Sequence, residues 1–256
     1  MRPRPLGHTG LSVSPIGYGS FKIGRNTKTK YPQPYDLPDE DKSIELLRAL
    51  LPLGITYVDT APAYGLSEER IGKALASSRR NLVLSTKVGE SFENGVSVHD
   101  FSAQATERSV MRSLGRLKTE WLDMVFIHSD GRDMRQLHDA GCIDALTRLR
   151  KSGLIRAIGM SGKTPAEAEA ALSWADVLMV EYHSADTSHD AVMRQALERG
   201  IGIVVKKVLV SGGHPSMEIP FALAHPAVAS VLIASLNLAH VQDNIHHAET
   251  SYAEPF

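Results

Sequence analysis

Eight short apolar runs alternate with amphipathic segments from one end of this chain to the other, and that repeat limits the fold more than any other feature. The runs are Ser14–Ser20, Ile55–Thr60, Asn81–Lys87, Leu122–His128, Ile155–Ser161, Val177–Tyr182, Ile201–Val208 and Val228–Ser235. Helical patterns fill the intervals at Asp39–Leu51, Ser67–Ala76, Ala103–Leu117, Ile143–Lys151, Ala166–Trp174, Asp190–Glu198 and, weakly, Met217–Ala224; Leu238–Ala248 follows the last run. Strands apolar along their whole length belong to a parallel sheet covered on both faces. Eight such units in 256 residues have the size of a (β/α)8 TIM barrel, here one domain over 1–256, with an open doubly wound sheet as the rival. Gly54, Gly153 and Gly200 stand where helices should end before strands, and Thr164-Pro165-Ala166-Glu167 carries a helix start signal. Leu6–Val13, turning at His8-Thr9-Gly10, predicts a β-hairpin that closes the barrel bottom.

Composition narrows the class of function. The chain holds 28 basic and 29 acidic residues, a net charge of −1, which gives no general attraction for nucleic acid or a membrane surface. One cysteine, Cys142, allows neither an internal disulfide nor a multi-cysteine metal centre. No run reaches the roughly 18 apolar residues of a spanning helix, and MRPRPLGHTG has no apolar stretch of the kind that marks a secretory signal. The expectation is a cytoplasmic protein with a small-molecule substrate, no nucleic-acid or membrane partner, and no metal; oligomeric state is left open.

A barrel of this kind does its chemistry where the strands end. The second run ends at Asp59, with Tyr64 five residues on; the third ends at Lys87 and the fourth at His128. A buried ammonium at Lys87 requires a counter-charge, and Asp59 is the one at hand. A phenol is a poor proton source near neutral pH unless its phenolate is stabilised, which an adjacent Lys87 would do. His128 can donate a hydrogen bond to a carbonyl oxygen. Together the four suit carbonyl reduction. Zinc hydrolysis lacks its motif, and His246-His247 lies on a polar helix.

The segments GITYVDTAPAYGLSEERIGKAL (54–75), LSTKVG (84–89), SLGRLKTEWLDMVFIHS (113–129), GLIRAIGMSG (153–162) and HPAVASVLIASLNLAHVQDNI (225–245) resemble the aldo-keto reductase superfamily over essentially the whole chain. The resemblance implies a (β/α)8 barrel and a nicotinamide-dependent oxidoreductase. It makes Tyr64 the proton donor to an aldehyde or ketone, with Lys87 and Asp59 tuning it and His128 orienting the carbonyl. It also implies a cofactor laid across the strand ends, held by residues among Gly19, Ser20, Asp59, Ser129, Ser161, Met179, Lys206, Lys207, Leu209, Ser235, Asn237, His240 and Asn244.

Several of those positions depart from the family pattern. Ser161-Gly162 stands where Ser-Asn is usual, Met179 where Gln is usual, and Lys206 where an aromatic stacks on the nicotinamide; Glu181, Tyr182 and His183 are expected to face the same cleft. No Lys or Arg follows Lys207, so no fixed cation awaits a 2′-phosphate near Ser235–His240. A helix N-terminus there still favours NADP(H) slightly, and NAD(H) stays open. The compressed Ser211–Ala224 stretch and the short Glu249–Phe256 tail leave Gly24–Pro38 and Ser129–Ala140 as the expected substrate wall. Arg25, Lys28, Lys30, Arg132 and Arg135 in those loops are read as solvated charges or as ligands of an anionic substrate. Two other functions fit the same barrel: a Schiff-base aldolase using Lys87, Lys206 or Lys207, and a cofactor-sensing module with little turnover.

Overall fold

A computed structural model describes residues 1–29, 34–93, 95–131, 140–209 and 214–250. Lys30, Arg132, Arg135 and most of the Ser129–Ala140 loop lie outside them, as does most of the 249–256 tail. The chain opens with a small hairpin, β1 (Arg4–Pro5) and β2 (Ser12–Val13). The barrel strands follow in chain order as β3 (Ile16–Gly19), β4 (Tyr57–Asp59) and β5 (Val83–Val88). A second hairpin, β6 (Glu90–Glu93) and β7 (Val96–His99), projects beyond β5. The barrel resumes with β8 (Leu122–His128), β9 (Ile155–Ser161), β10 (Val177–Glu181), β11 (Gly202–Lys206) and β12 (Val228–Ile233). Excluding the two hairpins, these eight strands close into one parallel barrel, β12 pairing with β3 to complete the ring.

The helices are α1 (Glu40–Leu50), α2 (Ser67–Leu75), α3 (Ala103–Leu117), α4 (Cys142–Lys151), α5 (Pro165–Ala171), α6 (Asp190–Glu198), α7 (Pro215–Ala224) and α8 (Leu238–Thr250). Each expected helix is found, α3 and α6 with the expected limits; α5 stops three residues early, at Ala171 rather than Trp174. The start of α5 is a full capping box in which Thr164 and Glu167 satisfy each other's backbone N–H groups. Gly54, Gly153 and Gly200 all adopt positive φ between helix and strand.

The first hairpin plugs the bottom of the barrel. Leu6, Leu11 and Val13 are buried among interior side chains that include Tyr57, Val83, Met124, Phe126, Met179 and Val204. His8 N–H donates to the Gly200 carbonyl at 2.7 Å, which fixes the plug against the start of β11. With one end sealed by apolar burial, only the strand C-terminal end is left for a polar site. The second hairpin was not expected from sequence. The dipeptide Asn94-Gly95 between two alternating runs is a familiar hairpin signature.

Candidate active site

Asp59 is the last residue of β4 and is paired on both sides, with Gly19 and Ser85 in register. Only 2 % of it is exposed. Its Oδ2 accepts from Lys87 Nζ at 2.6 Å and its Oδ1 from Ser85 Oγ at 2.6 Å. Lys87, from the neighbouring strand β5, is 1 % exposed and also donates to the Thr60 carbonyl at 2.9 Å. Burial is the strongest influence on this ammonium and works against its charge. The Asp59 carboxylate and the Tyr64 phenol together outweigh it, so the Lys87 pKa lies above its ordinary value.

Tyr64 reaches this pair because the chain turns sharply after β4. Pro62–Tyr64 form one 3₁₀ turn, closed by Tyr64 N–H donating to the Ala61 carbonyl at 2.9 Å. The turn is clamped by a close approach of backbones. A Cβ on Gly24 would stand 2.0 Å from the Tyr64 carbonyl oxygen, and one on Gly65 2.4 Å from the Gly24 oxygen. Glycine at both positions is therefore what lets the loop after β3 lie against the Tyr64 turn. The half-buried Tyr64 ring has Lys87 Nζ 4.7 Å from its centroid and Phe21 packed edge-on at 5.1 Å.

The Tyr64 phenol differs from the sequence expectation. Burial raises its pKa and prevails over the downward pull of Lys87, so the net shift is upward. The resting phenol therefore holds its proton firmly. Lys87 is placed to stabilise the phenolate once that proton leaves.

His128 ends β8 with its ring perpendicular to that of Tyr64, centroids 6.2 Å apart. Its Nδ1 lies 2.9 Å from Oε2 of Glu90, a residue sequence reasoning passed over. Gly89, at φ +95, turns the chain back immediately after β5 and places Glu90 over the mouth. Burial lowers the His128 pKa, with Glu90 opposing and Lys87 adding to the decrease. Burial pushes the Glu90 carboxyl up, but hydrogen bonding and charge from His128 prevail and bring it down to about 2. The wall beside Tyr64 comes largely from this second hairpin. Phe92, two residues beyond Glu90, carries the Arg25 guanidinium 3.5 Å above its ring.

Arg25 is a correction to the solvated-charge reading. It is buried, and its guanidinium donates to the carbonyls of Thr27, Ala63 and Lys28 at 2.9–3.1 Å. That fully engaged cation braces the loop after β3 against the Tyr64 turn. Lys28 is exposed.

The candidate cofactor residues fall into three settings. The first lies at the ends of β9 and β11. Lys206 Nζ donates to Ser161 Oγ at 3.1 Å and to the Gly162 carbonyl at 2.6 Å, and burial lowers its pKa to about 8. Ser161 Oγ also touches Met179 Sδ at 3.5 Å, with Met179 buried in the barrel interior. Asparagine at 162 would be crowded, since a Cβ there meets Glu167 Cβ at 3.2 Å. Glu167 accepts from the backbone of Lys163 and Thr164 at 2.6 and 2.9 Å and also holds the Ser129 hydroxyl. The Ser129 side chain is thus spent on tying the end of β8 to the start of α5.

The second setting is the outer rim. Lys207, with positive φ, turns outward and pairs with Glu181. Tyr182 packs on Phe221 and His225, and the backbone of His183 pairs with that of Asp186. Leu209 is half-buried against the core. The expected facing of Tyr182 into the cleft is corrected by its stacking on α7. Ser20, beyond Gly19 at the end of β3, is buried with its hydroxyl on the Asp59 carbonyl at 2.7 Å.

The third setting is the start of α8. Ser235 Oγ accepts from Asn237 N–H at 3.1 Å, and Asn237 Oδ1 accepts from Ala239 N–H at 2.9 Å. His240 is exposed and Asn244 buried. Among the described residues no group of three His, Cys, Asp or Glu side chains could hold a metal ion, and no helix is long and apolar enough to cross a membrane.

The chain that builds this barrel mouth is similar to known proteins along most of its length. The aldo/keto reductase family model matches residues 15–218, and the chain belongs to that family. A crystal structure of a Pseudomonas aeruginosa protein described as an aldo-keto reductase has a TM-score of 0.89 and 41% identity, covering 98% of this chain and 95% of that one. The holo form of an aldo-keto reductase from Bacillus halodurans has a TM-score of 0.86 and 27% identity, covering 100% and 92%. L-galactose dehydrogenase of Arabidopsis thaliana is 25% identical over 94% of this chain and 86% of its own length. The chain is therefore an oxidoreductase of a family that acts on alcohols and aldehydes and uses NAD(P)H.

Proposed function

We propose that this protein reduces an aldehyde or ketone to an alcohol, with NAD(P)H as reductant and Tyr64 as proton donor. The observation that carries the reading is the sealed Asp59–Lys87 pair beneath a half-buried, firmly protonated Tyr64. When bound, the nicotinamide supplies a hydride to the carbonyl carbon. As negative charge develops on the carbonyl oxygen, Tyr64 gives up its proton to it. The resulting phenolate is stabilised by Lys87, whose own charge is secured by Asp59. His128 shares the same oxygen and fixes the carbonyl between the two rings.

The donor set fits the cofactor's carboxamide. An ammonium has three N–H groups, and two of those on Lys206 are committed to Ser161 and Gly162. The third would meet the carboxamide oxygen, in the role the missing Asn fills elsewhere in the family. Ser235, Asn237 and His240 would meet the adenosine phosphate, and NADP(H) is slightly favoured over NAD(H).

A Schiff-base reaction needs a neutral amine, and Lys87 is held charged. The test is to follow loss of reduced-nicotinamide absorbance over a panel of aldehydes and ketones, with borohydride trapping in parallel. Steady turnover without a trapped lysine adduct is expected. A stable adduct without nicotinamide consumption would replace this reading by the aldolase one.

A further inference from the structure

Four inward side chains form a square beneath the barrel mouth. Tyr57 and Asp59 stand two residues apart on β4, Ser85 and Lys87 two apart on β5, and Asp59 lies opposite Ser85 in register. Alternation along a strand puts each pair on one face, and none of the four is more than 2 % exposed. Lys87 and Ser85 divide the Asp59 carboxylate between them, one on each oxygen, both at 2.6 Å. Ser85 Oγ also lies 3.0 Å from the Tyr57 hydroxyl.

These hydroxyls make a relay with a direction. Ser85 has one proton to give, and it goes to Asp59, whose carboxylate brings only lone pairs. The Tyr57 phenol must then donate to Ser85. Burial, with Asp59 adding to it, holds the Tyr57 pKa well above its ordinary value, so this donor keeps its proton. We infer that Ser85 and Tyr57 are positioning residues, a one-way relay from Tyr57 through Ser85 to Asp59 that fixes the carboxylate against Lys87. The relay itself follows from the geometry; its kinetic effect rests on the proposed carbonyl chemistry.

The barrel makes room for it. The Tyr57 ring sits among Leu6, Val83, Met124 and Phe126, where a phenol without a partner would be costly. A Cβ on Gly17 of β3 would stand 2.6 Å from that ring, so glycine there admits it. Phenylalanine would fill the same space, and only the hydroxyl reaches Ser85. Without Ser85, one oxygen of Asp59 would face the dry interior unpaired, and the carboxylate would draw more strongly on the Lys87 proton. Lys87 would then stabilise the Tyr64 phenolate less.

The test combines kinetics and NMR on the full-length protein. Ser85→Ala should lower kcat for reduction of a reactive aldehyde by about tenfold, the lower end of what one hydrogen bond to a charged group contributes. KM and the cofactor Kd should stay unchanged. Tyr57→Phe should cost about two- to fivefold in the wild-type background and nothing further in Ser85→Ala, because it acts through the serine. The Asp59 carboxyl ¹³C signal, assigned by Asp59→Asn, should move in both single variants and no further in the double variant than in Ser85→Ala. An unchanged kcat or an unmoved Asp59 signal in Ser85→Ala would overturn the inference, as would the same effect of Tyr57→Phe in both backgrounds. Shifted signals in a protein that turns over no carbonyl would sink the proposed function and leave the relay standing.

Discussion

Lys87 Nζ sits 2.6 Å from Asp59 Oδ2 with both side chains almost wholly removed from solvent. Removing one partner of such a pair leaves an uncompensated buried charge. Lys87→Met should therefore cost on the order of 3–5 kcal/mol of stability as well as turnover. For a chain of this length each kcal/mol moves Tm by about 2–4 °C, so calorimetry should show a drop of roughly 6–20 °C. Asp59→Asn with Lys87→Met should recover part of it, because the amide that replaces the carboxylate carries no charge. An unchanged Tm in the single variant would show that the pair is not buried as described.

Glu90 links acidity to stability. Its carboxyl falls from 4.5 to about 2 on folding. A depressed carboxyl contributes stability that is fully present above its unfolded pKa and is lost as pH falls through the folded one. Stability should thus decline between about pH 4.5 and pH 2, and more gently in Glu90→Gln. Denaturant midpoints measured across that range check it; parallel curves for the two proteins would exclude the contribution.

Lys206 should make cofactor binding depend on pH. Its ammonium, with a pKa of about 8, would stand beside a nicotinamide ring that is cationic only when oxidised. Below that pH the charge disfavours NADP⁺ relative to NADPH; above it the penalty fades. The ratio of the two Kd values should shift by about tenfold toward NADP⁺ between pH 6.5 and 9, and Lys206→Met should remove the shift. Fluorescence titration reads both constants, and a ratio indifferent to pH in the wild type would place Lys206 away from the ring.

Discrimination between NADPH and NADH should be weak. The start of α8 offers a hydroxyl, an amide and His240, and two of its backbone N–H groups are already taken by Ser235 and Asn237. Without a cation the preference should stay under about a hundredfold at pH 8. A larger ratio of dissociation constants would require a cation reaching the phosphate from elsewhere.

What the sequence made legible follows from how each feature is encoded. The barrel is written in apolar runs, and β8 and β9 were placed to the residue because nearly every side chain along them is buried. Asp59, Tyr64, Lys87 and His128 were legible because strand ends fix where they meet. Glu90 and Arg25 were not. Glu90 depends on one left-handed glycine after β5, and Arg25 is buried only because Ala63, Thr27 and Lys28 turn their carbonyls toward it. Ser129 and Ser20 had the right addresses at strand ends, yet their hydroxyls are taken by Glu167 and Asp59. Partners of that kind arise from tertiary packing, which no local spacing records.

Tyr64→Phe is the most direct trial of the account, because it removes one hydroxyl from a half-buried ring and leaves Asp59–Lys87 in place. Consumption of reduced nicotinamide with a reactive aldehyde should fall by roughly 10²–10⁴ in kcat, with Tm and cofactor Kd unchanged. Turnover near that of the wild type in this variant would contradict the assignment of Tyr64 as the proton donor.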